Sequence, residues 1–162
     1  VRMRKLTTAF ISLFLASTPA LAVTPGGTVT GTIDGQAVEL TVFAQQSDYG
    51  NSHISLYIIG DGLSERGLGA MGLGAEWLGE LNGEFSHAEA STGMHSNPLR
   101  LYYGDDDEGL SLTIESFMYV GALLEITGRV EGVLTNVDKV GHKNPNPDDT
   151  VSIDLVFDAV LQ

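Results

Sequence analysis

The groups in this chain that can do chemistry are four histidines, 21 carboxylates and a set of hydroxyls, with no cysteine to act as nucleophile, metal ligand or staple. His53, His87, His95 and His142 are far apart, and no H-x-H or H-E-x-x-H spacing sets two ligands on one local face. The one local cluster is His87, Glu89, Met94 and His95, a His/Met group of the type that can hold copper. Surface histidines beside a turn methionine account for the same residues. No G-x-S-x-G serves a serine nucleophile. A glycosidase pair needs two acids a few ångströms apart across a cleft, which spacing in the chain does not establish.

Two acidic segments are the remaining candidates, Asp105-Asp106-Asp107-Glu108 and the stretch from Asn144 to Asp149 that carries Asp148 and Asp149. Calcium requires six to eight oxygens in a defined shell, and alternate spacing of the D-x-D-x-D-G kind aims successive carboxylates at one centre. Four consecutive acids point in different directions instead. The expectation is a solvated hairpin tip with weak, salt-screened affinity for divalent cations. Gly67-Leu68-Gly69-Ala70-Met71-Gly72 fits G-x-G-x-x-G, but a dinucleotide site needs that run between a parallel strand and a helix. Its surroundings read as antiparallel strands. No catalytic or cofactor-binding residue is therefore assigned, and the reading leans away from an enzyme.

The elements that must position these groups are strands. Val151, Ile153, Leu155, Phe157, Ala159 and Leu161 alternate with Ser152, Asp154, Val156, Asp158 and Val160, the period-two pattern of a half-buried strand. Leu124, Ile126, Val130 and Leu134 repeat it, and a polar loop separates the two runs, so a long antiparallel hairpin is expected. Near the start, Thr28–Ile33 and Gln36–Ala44 flank Asp34-Gly35, a dipeptide suited to the positive φ values of a type I′ turn, with Val29, Ile33, Val38, Leu40, Val42 and Ala44 facing in. Gln45–Ser52 reads as a turn, and Ile54, Leu56 and Ile58 as the inner face of a third strand. Eight glycines between Gly60 and Gly83 predict a thin or bulged strand, with a short helix over Ala75–Leu81 as the other option. Glu84–Thr92 is expected as a strand and Thr92–Pro98 as a turn. Leu99–Tyr103 and Leu110–Val120 are predicted to pair as a hairpin around the acidic loop, with Leu110, Leu112, Ile114, Met118 and Val120 inside.

Arg2, Arg4 and Lys5 precede the apolar run Leu6–Leu15 and the small-residue segment ending Ala20-Leu21-Ala22, the form of a secretory signal removed after residue 22. Removal takes three of the eight cations and none of the 21 acids, so the formal charge of −13 becomes −16. Such a surface repels nucleic acid and anionic lipid, so no nucleic-acid partner is expected. The expected organisation is a signal peptide at 1–22 and a single all-β domain at 23–162, an antiparallel β-sandwich or small barrel of eight or nine strands. An outer-membrane barrel is opposed by aromatic residues at only 7%, thin for two interfacial girdles, and by the charges alternating with the apolar runs. The expected role is a periplasmic or secreted, non-catalytic binding or structural module that is not membrane-embedded. The alternatives are a cell-envelope hydrolase using surface carboxylates and a small outer-membrane barrel.

Overall fold

A computed structural model describes residues 26–43, 48–49, 53–78 and 87–161. The signal segment, Ala44, Phe85 and the side chain of Trp77 lie outside the described residues. The strands, in chain order, are β1 (Gly27–Ile33), β2 (Gln36–Phe43), β3 (Asp48–Tyr49), β4 (His53–Asp61), β5 (Leu68–Leu78), β6 (His87–Met94), β7 (Arg100–Asp105), β8 (Ser111–Val120), β9 (Leu123–Asp138) and β10 (Asn146–Leu161). They form one antiparallel sheet in the order β10-β1-β2-β4-β5-β6-β7-β9-β8, and the additional β9–β10 pairing closes eight of these strands into a ring. The fold is thus a barrel. The two-residue β3 pairs with β4, so a short strand lies within the segment expected to be only a turn.

Closure follows from the long terminal hairpin. Each of β9 and β10 spans 16 residues. Their register sets Ile126 opposite Ala159 and Gly128 opposite Phe157. The other edge of β10 takes β1, from Gly27↔Ala159 to Ile33↔Ile153. Leu124, Ile126, Val130, Leu134, Leu155 and Phe157 are fully buried, whereas Asp154 and Asp158 are exposed. The apolar parity fills the barrel and the charged parity faces out, the arrangement of a side-chain-packed small barrel. Between β1 and β2, Asp34 and Gly35 have φ of 50° and 70°, as a type I′ turn requires.

The glycine-rich stretch is a strand. β5 turns Met71, Leu73 and Ala75 inward, and a register irregularity against β6 lies between Leu68 and Met71. Ala75–Leu78 is extended, which corrects the helical option there: its backbone is hydrogen-bonded into the sheet, with Ala75 opposite Leu56 and Ala88. Gly72 and Gly74 sit where a Cβ would meet the Tyr57 hydroxyl at 3.3 Å and Glu89 Cγ at 3.1 Å. The missing side chains let neighbouring side chains lie across β5. The G-x-G-x-x-G run crosses from a 3-10 turn (Ser64–Arg66) into this antiparallel strand, so it lacks the strand-to-helix setting of a nucleotide loop.

Two further expectations are corrected. β6 continues through Met94, which moves the turn to residues 95–99. β7 and β8 do not pair with each other. Both pair with the same edge of β9, β7 against Thr135–Asp138 and β8 against Leu123–Glu131. β7 closes the ring, and after the acidic turn β8 takes over lower on β9, outside the ring. A bulge between Ile114 and Ser116 breaks the parity of β8, so Leu110 is buried and Leu112 and Ile114 are partly buried, but Met118 and Val120 are exposed rather than inside.

Candidate functional site

At one end of the barrel lie the β1–β2 turn and the connections β4–β5, β6–β7 and β9–β10. Contacts tie them together: Ser152 N donates to Asp34 Oδ1 at 2.8 Å, His95 N to Gly67 O at 2.8 Å and Lys139 N to Leu99 O at 2.8 Å. A cleft of about 460 Å³ opens between the first two of these loops, floored by Leu68, Tyr102 and Val151 and rimmed by Asp34, Glu65 and Arg66. Arg66 is committed to the fold, because Nη2 donates to Ala37 O at 2.8 Å and Nη1 to Ile33 O at 3.5 Å. Asp34 is likewise held by Ser152.

Beneath the cleft a polar network occupies the inward parity of the barrel end. Tyr102 donates its hydroxyl to Asp149 Oδ1 at 2.9 Å, and Asn136 Nδ2 donates to Asp149 Oδ2 at 2.6 Å and to Met94 Sδ at 3.2 Å. Arg100 Nε donates to Asn136 Oδ1, Nη1 lies 2.7 Å from Asp138 Oδ1, and Nη2 reaches the Asn136 and Asn144 carbonyls at 3.1 and 2.9 Å. Asn144 Nδ2 closes the set by donating to Asp138 Oδ2. Burial, then the Asp149 carboxylate, pushes the Tyr102 hydroxyl up to about 12. A phenol so shifted is a weaker acid and holds its proton. The network is a hydrogen-bonded plug, each polar group satisfied by another.

The sequence-derived candidates are distributed rather than gathered. His87 Nδ1 lies 2.9 Å from Asp106 Oδ1 and Nε2 3.7 Å from Glu89 Oε2, all on the outer surface. Met94 is at the opposite end of β6, where its sulfur accepts from Asn136, and His95 is exposed on the turn beyond it. The proposed His/Met group is thus split along a strand, with His87 beside carboxylates and Met94 against the plug. His142 stacks on Tyr103 with ring centroids 3.9 Å apart. His53 begins β4. Among the described residues no three histidine or acidic side chains are grouped to hold a metal ion.

The acidic run is not a free tip. Asp106–Glu108 form a 3-10 turn whose N-cap, Asp105, accepts from Glu108 N at 3.0 Å. Asp106 Oδ1 accepts from Ala88 N at 3.0 Å, and this bond, helped by His87, holds the Asp106 carboxyl below the usual carboxylate range. Asp107 and Glu108 are exposed. Tyr103 donates to Glu89 Oε2 at 3.2 Å and Asp105 Oδ2 at 3.3 Å, and burial together with these two acids raises its pKa. Asp148 is exposed, whereas Asp149 is in the plug.

The feature the sequence concealed is on β8. Phe117, Met118, Tyr119 and Val120 are consecutive and 42%, 57%, 52% and 44% exposed. Beside them a hollow of about 380 Å³ is lined by Ser116, Glu125, Thr127 and Asp158. Among the described residues β8 has a strand neighbour, β9, on one edge only. No known protein family, curated protein or solved structure matches this chain.

Proposed function

We propose that the protein is an exported, non-catalytic binding module of the cell envelope that engages an extended, apolar stretch of polypeptide along β8. The observation carrying this reading is the run Phe117–Val120, four large apolar side chains exposed on a strand with one described neighbour. Soluble proteins normally blunt such an edge with lysine, proline or a short strand. β8 spans ten residues and has one charge, Glu115, with no lysine or proline. An added strand would supply main-chain hydrogen bonds, and alternate side chains would cover Phe117, Met118 and the hollow beside them.

The barrel itself supports a binder over a hydrolase. Arg66 and Asp34 at the mouth are held by backbone groups, Asp149 is held by Tyr102 and Asn136, and the raised tyrosines are poor proton donors. An active site needs groups poised near working pH and free to act on substrate. The outer faces of β1 and β10, with Thr28, Thr30, Asp154 and Asp158 exposed, support a barrel whose exterior meets water rather than lipid.

Site-specific photo-crosslinking in the producing cell tests the reading. A photoreactive residue at Met118 should give a discrete polypeptide adduct that one at Asp154 does not. Phe117→Asp with Val120→Asp should abolish it while leaving the melting midpoint unchanged. Adducts equal at both positions, or insensitive to the strip variants, would refute a β8 interface.

A further inference from the structure

Cations are scarce here, and they are unevenly placed. Beyond residue 5 the chain has two lysines, Lys139 and Lys143, both in the β9–β10 loop. Arg66, Arg100 and Arg129 are occupied by backbone carbonyls, Asp138 and Asp154 respectively. Neither lysine has an ion-pair partner among the described residues. Between them is Val140, 85% exposed, and hydrogen-bonded alongside through Lys139 N is Leu99, 76% exposed. Two almost bare aliphatic side chains thus sit on adjoining turns, one of them flanked in sequence by the two unpaired lysines.

The loop holds this shape. Gly141, His142 and Asn144 have φ of 71°, 48° and 52°, a left-handed backbone that glycine adopts freely and that histidine and asparagine adopt more readily than most residues. The His142 ring stack on Tyr103, the Arg100 bond to Asn144 O and the Asp138 N–H bond to Lys143 O at 2.7 Å hold the loop in place. Protein interfaces draw their binding energy from aromatic and arginine anchors in pockets, with leucine and valine under-represented. Convex aliphatic tips ringed by lysine suit the boundary between lipid headgroups and acyl chains, where apolar burial and attraction to anionic headgroups act together.

We propose that this tip, Leu99 and Val140 flanked by Lys139 and Lys143, docks the barrel peripherally on an anionic lipid surface. The acidic chain is repelled by such a surface at long range. At physiological salt, however, charges more than about 8 Å from the contact are largely screened. Of the acids in the β9–β10 segment itself, Asp138 is paired with Arg100 and hydrogen-bonded by Asn144, and Asp149 is tied into the plug, leaving Asp148 exposed. Because β8 pairs with the opposite half of β9, the tip and the apolar strip lie toward different ends of that strand, and docking leaves β8 open to a partner.

Cosedimentation tests this with the protein in the form the cell accumulates. The probes are vesicles of phosphatidylcholine alone and of equal parts phosphatidylglycerol and phosphatidylcholine. The protein should partition onto the anionic vesicles and less as salt rises. Each of Lys139→Gln and Lys143→Gln should lower the partition constant about fivefold. Leu99→Ser with Val140→Ser should bring it to the level on neutral vesicles, with the circular dichroism spectrum unchanged. Binding that ignores phosphatidylglycerol or survives all four substitutions overturns the proposal. So does absence of vesicle binding combined with lysine-dependent binding to polyglutamate, which would assign the tip to an acidic polypeptide instead.

Discussion

Phe157 and Gly128 form a close contact within the β9–β10 pairing that closes the ring. They are directly opposed across β9 and β10, and Phe157 is fully buried. A Cβ on Gly128 would lie 2.5 Å from Phe157 Cζ and 2.5 Å from Thr113 O. The ring therefore fills the space that glycine leaves, on the strand shared by β7, β8 and β10. Phe157→Ala removes the ring and leaves a cavity, at a cost of about 3–5 kcal/mol. That corresponds to a fall in midpoint on the order of 10 °C for a chain of this size. Gly128→Ala overpacks the same space, and because Thr113 O is backbone it cannot swing aside, so about 1–3 kcal/mol is expected. With the ring gone the added methyl meets one obstacle fewer, so the double variant should lose less than the sum of the singles, by at least about 0.5 kcal/mol. Asp158→Ala, one residue from Phe157 but on the exposed parity, should change stability by no more than about 0.5 kcal/mol. Urea melts with a shared m-value read all four. Equal, small losses for Phe157→Ala and Asp158→Ala, or strict additivity of the double variant, would show that the ring does not pack over Gly128.

Two further outcomes follow from the polar groups. Tyr102, raised from 10.0 to about 12 by burial and Asp149, binds its proton more tightly folded than unfolded. The stability it contributes is complete below pH 10 and is lost as pH rises from there through about 12. Near-ultraviolet phenolate absorbance should accordingly show late-titrating tyrosine until the barrel melts, and Tyr102→Phe should remove part of that late signal; ordinary titration of every tyrosine would contradict the plug. In the acidic turn, Asp105→Ala should cost about 1 kcal/mol through loss of the Glu108 cap. Melts in calcium and in chelator at fixed ionic strength should nearly coincide, since a ligand present at its Kd adds only about 0.4 kcal/mol. A large calcium-specific rise, abolished by Asp106→Asn with Asp107→Asn, would show a site there.

What the sequence revealed is what period two can encode. The β9–β10 hairpin and the Asp34-Gly35 turn are legible because the inward positions from Leu124 to Leu134 and from Val151 to Leu161 are apolar or glycine, and each turn position tolerates positive φ. The plug leaves a fainter signal. Asn136 continues the inward parity of Leu124, Ile126, Val130 and Leu134, and a polar residue on an apolar parity implies a buried partner. Its partners Tyr102, Asp149 and Arg100 come from other strands, and local patterns carry no register between distant strands. The acidic run departs from its pattern for a related reason: like charges in sequence suggest a solvated tip, but Asp106 finds the Ala88 N–H and His87 18 or so residues upstream.

β8 shows why a failed pattern can itself be informative. An apolar residue is expected inside because a strand in a small closed barrel has one dry face and one wet face. β8 pairs with β9 but lies outside the ring, so beyond the Ile114/Ser116 bulge no barrel interior remains for either parity to enter. Phe117 and Tyr119 on one parity and Met118 and Val120 on the other are all exposed. An unbroken run of large apolar residues normally marks a strand buried on both faces. Here the run is present but its cover is not supplied by the described strands of the barrel, so the composition of β8 fits a strand that acquires its second neighbour from a partner.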